Sequence, residues 1–263
     1  MQATSSMRLQ FADGLATVTL TEAQRDNPVD GDFARDFKRV IAELSDAPGL
    51  RAVLLCAEGS NFSFGGDLKK FYPERANLAP IVRSWTSDFH AGLARAWQLP
   101  VPIVAEVQGW AMGGAVSLIA GCDVVIAAQS AKLGSAFAQL GFSCDSGSSV
   151  TLTARMGVAR ARRFVLLAEV LTSEEALHTG LVDRVVADAQ LAEAALAITR
   201  SLAAGPTVAY GEIKRLFLRA GRMEIEAQLE DESLTLAKVS ATRDAQEGVA
   251  ARIERRAAVF EGR

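Results

Sequence analysis

The stretch "PIVAEVQGWAMGGAVSLIAGCDVVIAA" (residues 102–128) opens on a short apolar run, breaks at Gly109, turns at Gly113 and Gly114, and ends on a second apolar run. Residues 109–128 approach the length that crosses a bilayer, but Asp123 and four glycines interrupt them, so they read as buried core. The run "PIVAEVQG" and the upstream "RAVLLCA" (51–57) are short and apolar, as are strands in a sheet covered on both faces. Before them, "LATVTLT" (15–21) alternates and then meets turn residues.

Between these strands, "DGDFARDFKRVIAELSD" (30–46) sets Phe33, Phe37, Val40, Ile41 and Leu44 at helical spacing behind Asp30, a residue able to cap the first turn. Downstream come "DVVIAA" (123–128) and "AKLGSA" (131–136), a helical pattern from about residue 147, and "GLVDRVV" (180–186) as one more strand. Strand and helix alternate and then helices dominate, which predicts an α/β fold: a mainly parallel sheet, helices outside it, and an appended helical layer. The division expected is a core over 1–190 and a C-terminal helical region over 191–263.

Bulk composition narrows the chemistry. The 263 residues, 49% hydrophobic, suit one sizeable domain with a helical appendage. Lys and Arg total 28 against 31 Asp and Glu, a net charge of −3 without long runs of one sign, so neither a nucleic-acid nor a membrane-surface partner is expected. The start, "MQATSSMRLQF", has no basic then apolar leader pattern, and a cytoplasmic location is expected. Cys56, Cys122 and Cys144 lack metal-type spacing and fit reduced thiols. With only His90 and His178 in the chain, no histidine-rich metal site is expected.

Two glycine pairs lie in strand-to-helix turns: Gly65 and Gly66 in "NFSFGGDLKKF" (61–71), and Gly113 and Gly114 in the opening stretch. Glycine permits unusual backbone angles and close approach, and the N–H groups that open a helix have no partner within it. Converging N–H groups of Gly66 and Gly114 form an oxyanion hole for a carbonyl that becomes an enolate; otherwise the pairs serve tight packing alone. Neither turn has the spacing of a phosphate-cradling loop.

"NFSFGGDLKKF", the opening stretch, "SAKLGSAFAQLGF" (130–142) and "EALHTGLVDRVV" (175–186) together resemble the crotonase superfamily, the enoyl-CoA hydratase/isomerase family, in order and spacing over roughly residues 8–260. The resemblance implies a spiral of ββα turns and a C-terminal helical layer that joins homotrimers or homohexamers. It also implies an acyl-CoA thioester substrate whose carbonyl is held by the N–H groups of Gly66 and Gly114. Coenzyme A, carried in as part of the substrate and with no further cofactor, passes the segment of Ser63, Phe64, Gly65, Gly66, Asp67 and Leu68. Arg25 and Lys214 fall near its phosphates.

The hydratases of this family use two glutamates, at the places held here by Ser117 and Phe137. Adding water needs one group to activate it and another to handle the second proton, so the departure points away from hydration. In "GFSCDSGSSV" (141–150), Asp145 resembles the carboxylate of a subgroup that includes 1,2-epoxyphenylacetyl-CoA isomerases. An isomerase needs one base, which removes a proton and returns it elsewhere. The bland reading makes Asp145 the cap of the helix that follows. Burial beside Phe137 and Phe142 would raise its pKa, and the helix start would lower it.

His90 lies on an expected helix. In the hydrolytic 4-chlorobenzoyl-CoA dehalogenases of the superfamily, a histidine at this place activates water while an aspartate at the place of Asp145 attacks the ring; packing or solvent exposure is the bland role. Those dehalogenases carry tryptophan where this chain has Phe137. Cys144 stands next to Asp145 and either lines the pocket or does not. A family member that binds acyl-CoA without turning it over is the third possibility. The segment 72–88 shapes the acyl pocket without a readable code.

Overall fold

A computed structural model describes residues 2–263. Strands β1 (Gln2–Ala3), β2 (Met7–Ala12) and β3 (Leu15–Leu20) form an antiparallel edge. Helix α1 (Gly31–Ser45) follows, then β4 (Ala52–Ala57), the short α2 (Leu68–Phe71) and the long α3 (Leu78–Trp97). Next come β5 (Ile103–Val107), β6 (Trp110–Met112), α4 (Gly114–Ala120), β7 (Val124–Ala128), β8 (Lys132–Gly134), α5 (Ser148–Met156) and α6 (Val158–Leu166). The chain ends with β9 (Val170–Thr172), α7 (Ser173–His178), β10 (Arg184–Val186), α8 (Leu191–Ala203), α9 (Thr207–Arg219), α10 (Ile225–Ser240) and α11 (Arg243–Glu254).

The large sheet runs β1-β2-β3-β4-β5-β7-β10 and is parallel from β3 onward; a small sheet runs β6-β8-β9. Each coil of the spiral gives one strand to the large sheet, one to the small sheet, and then a helix. The coils after β3 and β4 lack a small-sheet strand and have isolated bridges instead, Val29 to Gly66 and Ser63 to Ala111. Ala52–Leu55, Val104, Ala105, Val125 and Ala127 are buried, as expected of parallel strands covered on both faces.

Helix α1 has the predicted form. Asp30 is its N-cap, with Oδ1 accepting from the N–H groups of Asp32 and Phe33 at 3.0 and 3.1 Å. Phe33, Phe37, Val40, Ile41 and Leu44 are all buried, and the rings of Phe33 and Phe37 meet Phe89 of α3 edge-on. That packing seats α3, and so His90, beside the C-terminal ends of the parallel strands. Residues 109–128 are strand, turn, helix and strand, and no helix among the described residues is long and apolar enough to cross a membrane.

The helical region expected from residue 191 divides in two. Helix α8 lies on the large sheet and buries Leu191, Ala195, Thr199 and Ala203, so it belongs to the core. From α9 onward the helices expose large apolar side chains, among them Phe217, Ile225 and Leu236. The separate layer therefore starts near Thr207.

Candidate active site

Both glycine turns lie at the C-terminal ends of the strands, and the chain there is stitched together by backbone bonds. The N–H of Ser63 donates to the Trp110 carbonyl at 3.0 Å, and that of Met112 donates to the Ser63 carbonyl at 3.0 Å. Gly65 sits at φ +78°, where a Cβ would stand 2.6 Å from the Met112 carbonyl oxygen; both its angle and this approach require glycine. The two pairs are thus neighbours in space. Gly114 opens α4, and among the described residues no acceptor takes the N–H of Gly66 or of Gly114.

Asp145 stands beside the second pair. Its Oδ1 lies 3.7 Å from the position a Cβ on Gly114 would take, and Ser146 Oγ lies 2.7 Å from it. Helix α5 is capped by Gly147 without a side-chain bond. What Asp145 gives the helix is its backbone carbonyl, which accepts from the Ser148 N–H at 2.9 Å and the Ser148 hydroxyl at 2.7 Å. The carboxylate itself accepts the Ser146 hydroxyl on Oδ1 at 2.9 Å, so the bland reading of Asp145 as a side-chain cap does not describe this turn. Burial pushes its pKa above the ordinary carboxylate value, partly countered by the Ser146 hydrogen bond and the neighbouring His90.

Helix α3 holds the Asp145 turn at two points seven residues apart. The Nε2 of His90 accepts the Ser146 N–H at 3.0 Å, and the indole of Trp97 lies against Gly147, where a Cβ would be 2.2 Å from Cη2. His90 therefore touches the Asp145 turn, although the residue as a whole is exposed. Cys144 is half-buried in the same loop.

The remaining expected residues are dispersed. Ser63 is buried and its hydroxyl accepts the Gly65 N–H at 3.1 Å, while Phe64 and Leu68 are exposed. Asp67 caps α2 through Lys69 and Lys70 N–H. Ser117 is fully buried, its hydroxyl bonded to that of Ser148, three residues after Asp145. Phe137 is half-buried at the start of the Ala138–Leu140 turn.

Arg25 and Lys214 both have partners within the chain. Arg25 is engaged within the chain: Nη1 donates to Glu22, and Nη2 to Asp30 at 2.8 Å and Asp67 at 2.6 Å. Asp30 is raised by burial but lowered further by Lys70 and Arg25, so that it stays ionised below the ordinary range. Lys214 donates to the Val101 carbonyl and to Asp123, each at 2.6 Å. Both partners lie at the N-terminal ends of β5 and β7, away from the glycine turns.

Sequence reasoning passed over an aromatic group beside Gly66. Phe71 Cε2 lies 3.4 Å from where a Gly66 Cβ would stand. The Phe71 ring stacks on Trp85 at 5.0 Å and meets Phe142 edge-on at 6.3 Å. Ser146 and Trp97 were also missed, because their roles arise from a turn and a helix distant in sequence. Among the described residues no group of three or more His, Cys, Asp or Glu side chains is placed to hold a metal ion.

Comparison with known proteins accords with this geometry. The family model described as enoyl-CoA hydratase/isomerase matches residues 10–263. The 1,2-epoxyphenylacetyl-CoA isomerase of Escherichia coli is 32% identical over 251 residues, 95% of this chain and 96% of that protein. A Rhodobacter capsulatus protein named "Probable enoyl-CoA hydratase" is 32% identical over 259 residues, 98% of each. The crystal structure of an enoyl-CoA hydratase from Bacillus anthracis superposes with a TM-score of 0.90 at 26% identity, covering 98% of this chain and all of that one. The chain belongs to the enoyl-CoA hydratase/isomerase family of the crotonase superfamily.

Proposed function

We propose that the chain is a cytoplasmic acyl-CoA isomerase in which Asp145 moves one proton while Gly66 and Gly114 hold the thioester oxygen. The observation that carries this reading is the position of the Asp145 carboxylate beside Gly114, with the side chain free of its own helix. Asp145 takes a proton from the carbon next to the thioester; the electrons of that C–H bond pass to the carbonyl oxygen, giving an enolate that accepts two backbone N–H bonds. The enolate collapses, the double bond shifts, and the same carboxyl returns the proton at the far carbon. Charge and atoms balance without water, a second acid, or any cofactor beyond the coenzyme A of the substrate.

A raised pKa supports this use, since it brings the base nearer to neutral pH and strengthens it. The places that the resemblance gives to the two hydratase glutamates hold Ser117 and Phe137, neither of which can carry a proton as a carboxylate does. The rings of Phe71, Trp85 and Phe142 beside Gly66 support a planar or unsaturated acyl group. Exposed Phe217, Ile225 and Leu236, at 78%, 73% and 71%, support a homotrimer or homohexamer that covers them.

A second reading, Asp145 as nucleophile on an aryl-CoA halide with His90 activating water, is favoured by the closeness of His90 to the Asp145 turn. It is weakened because Nε2 of His90 already accepts the Ser146 N–H, which occupies the lone pair a water would need. The test is a panel of 3-enoyl, ring-epoxide and haloaryl thioesters in deuterated water, read by NMR and mass spectrometry. Double-bond migration or ring rearrangement with deuterium incorporated is the expected result. A 3-hydroxyacyl product would establish hydration instead, and an aryl-aspartyl adduct would establish the nucleophile. Binding without any turnover would leave a carrier of acyl-CoA.

A further inference from the structure

Ser146 is 1% exposed and adopts φ +54°, a left-handed backbone that a serine rarely takes. Three contacts meet on it. Its N–H donates to His90 Nε2 at 3.0 Å, its hydroxyl donates to Asp145 Oδ1 at 2.9 Å, and its Oγ fills the space beside Gly114, 2.7 Å from where a Cβ would stand. The unusual angle makes this possible, because it turns the amide toward α3 and the hydroxyl back along the chain onto the preceding side chain. Strain of this kind persists where the surroundings over-determine it. Here His90 binds the amide, and Trp97 packs under the next residue, Gly147.

We propose that Ser146 is a positioning residue that decides which oxygen of Asp145 reacts and keeps His90 out of the proton traffic. The proposal rests on the reading of Asp145 as the base. With Oδ1 engaged by the hydroxyl, Oδ2, which receives no hydrogen bond from another described residue, is the oxygen presented to the substrate proton. The amide does the complementary task at His90. An imidazole whose Nε2 accepts a hydrogen bond is neutral and carries its proton on Nδ1, so it has no free lone pair to compete as base. The hydroxyl bond is lost least easily in the ionised state, because a carboxylate is the stronger acceptor. Of the titratable groups on the elements packed around Asp145, His90 is the one that would act on it by charge, and only on gaining a proton at the cost of the Ser146 N–H bond.

The test uses Ser146→Ala and Ser146→Gly in the full-length protein. Glycine accepts φ +54° without strain, so the second variant removes the hydroxyl while easing the backbone; melting curves establish that both fold. Deuterium exchange into the thioester gives kcat and KM, and carbon-13 NMR follows the Asp145 carboxyl through a pH titration without substrate. Both variants should lose at least about tenfold in kcat with KM for the thioester within about twofold, and the acid limb of kcat should move to higher pH. The Asp145 titration should move up by about half a unit or more, since a hydrogen bond that favours the carboxylate is gone. An unmoved titration overturns the proposal whether or not turnover is seen, as does wild-type kcat in Ser146→Gly. A wild-type protein that exchanges no proton with any thioester would sink the isomerase reading separately, and the titration would still decide the role of Ser146.

Discussion

Oδ1 of Asp145 lies 3.7 Å from the point a Cβ on Gly114 would occupy, and Ser146 Oγ lies nearer, at 2.7 Å. A methyl group there would push into the Asp145 turn. Gly66 differs: the nearest atom to its added Cβ is Phe71 Cε2 at 3.4 Å, and its φ is not in the left-handed region. Gly114→Ala should therefore lose about 1–3 kcal/mol of stability through overpacking. Gly66→Ala should be neutral, or gain about 0.4–1 kcal/mol through the stiffer unfolded chain. Urea midpoints of the two variants check this contrast, and equal midpoints would contradict the packing described.

Asp145→Asn separates function from stability. Loss of the proposed base should lower proton exchange by about 10²–10⁴-fold. Because burial raises the Asp145 pKa, the folded protein holds this proton more tightly than the unfolded chain does. The resulting stability is present in full below the ordinary carboxylate pKa and is lost as pH rises through the raised folded value. The amide should therefore melt higher than wild type at neutral pH, with the gain shrinking as the pH is lowered into the acid range. A melting temperature below wild type at pH 7 would show that the carboxylate is not strained by burial.

What the sequence made legible follows from how local each feature is. Helix α1 is written by the spacing of Phe33, Phe37, Val40, Ile41 and Leu44 behind Asp30, and each side chain is where that pattern puts it. The glycine turns are likewise local, since Gly65 answers to its own φ and to the strand beside it. The turn at Asp145 is not. Its state depends on His90 and Trp97, which lie some fifty residues upstream on α3 and meet it only in the packed fold. The pairing of Lys214 was illegible for the same reason, because its partner Asp123 lies far away in the chain, whereas Arg25 joins the distant Asp67 to the nearby Glu22 and Asp30.

Arg25 is bound by Glu22, Asp30 and Asp67, and Asp67 caps the helix that follows Gly66. Arg25→Ala should loosen that turn and so lower kcat, by about three- to tenfold if one partly exposed charged network is lost. It should not change how strongly the protein prefers a coenzyme A thioester over the matching pantetheine thioester, which lacks the nucleotide phosphates. The ratio of the two KM values, before and after substitution, is the measurement. A selective loss for the coenzyme A form would return Arg25 to phosphate binding.

The resemblance assigns Ser117 and Phe137 the places of the two hydratase glutamates, yet the two residues differ physically. Ser117 is 0% exposed, its hydroxyl is bonded to Ser148 and its carbonyl to the Thr151 hydroxyl at 3.2 Å. A glutamate there would put a carboxylate in a fully buried place and displace the Ser148 bond. Ser117→Glu should lose about 3 kcal/mol or more, or fail to fold. Phe137 is half-buried in a loop turn, so Phe137→Glu can reach water and should lose only about 1–2 kcal/mol, the packing of a partly buried ring. Denaturant midpoints rank the two. If Ser117→Glu proved as stable as Phe137→Glu and the double variant hydrated an enoyl thioester, the interior around α4 and α5 would have to open into the pocket, and the single-base chemistry would be a matter of two substitutions rather than of the fold around Asp145.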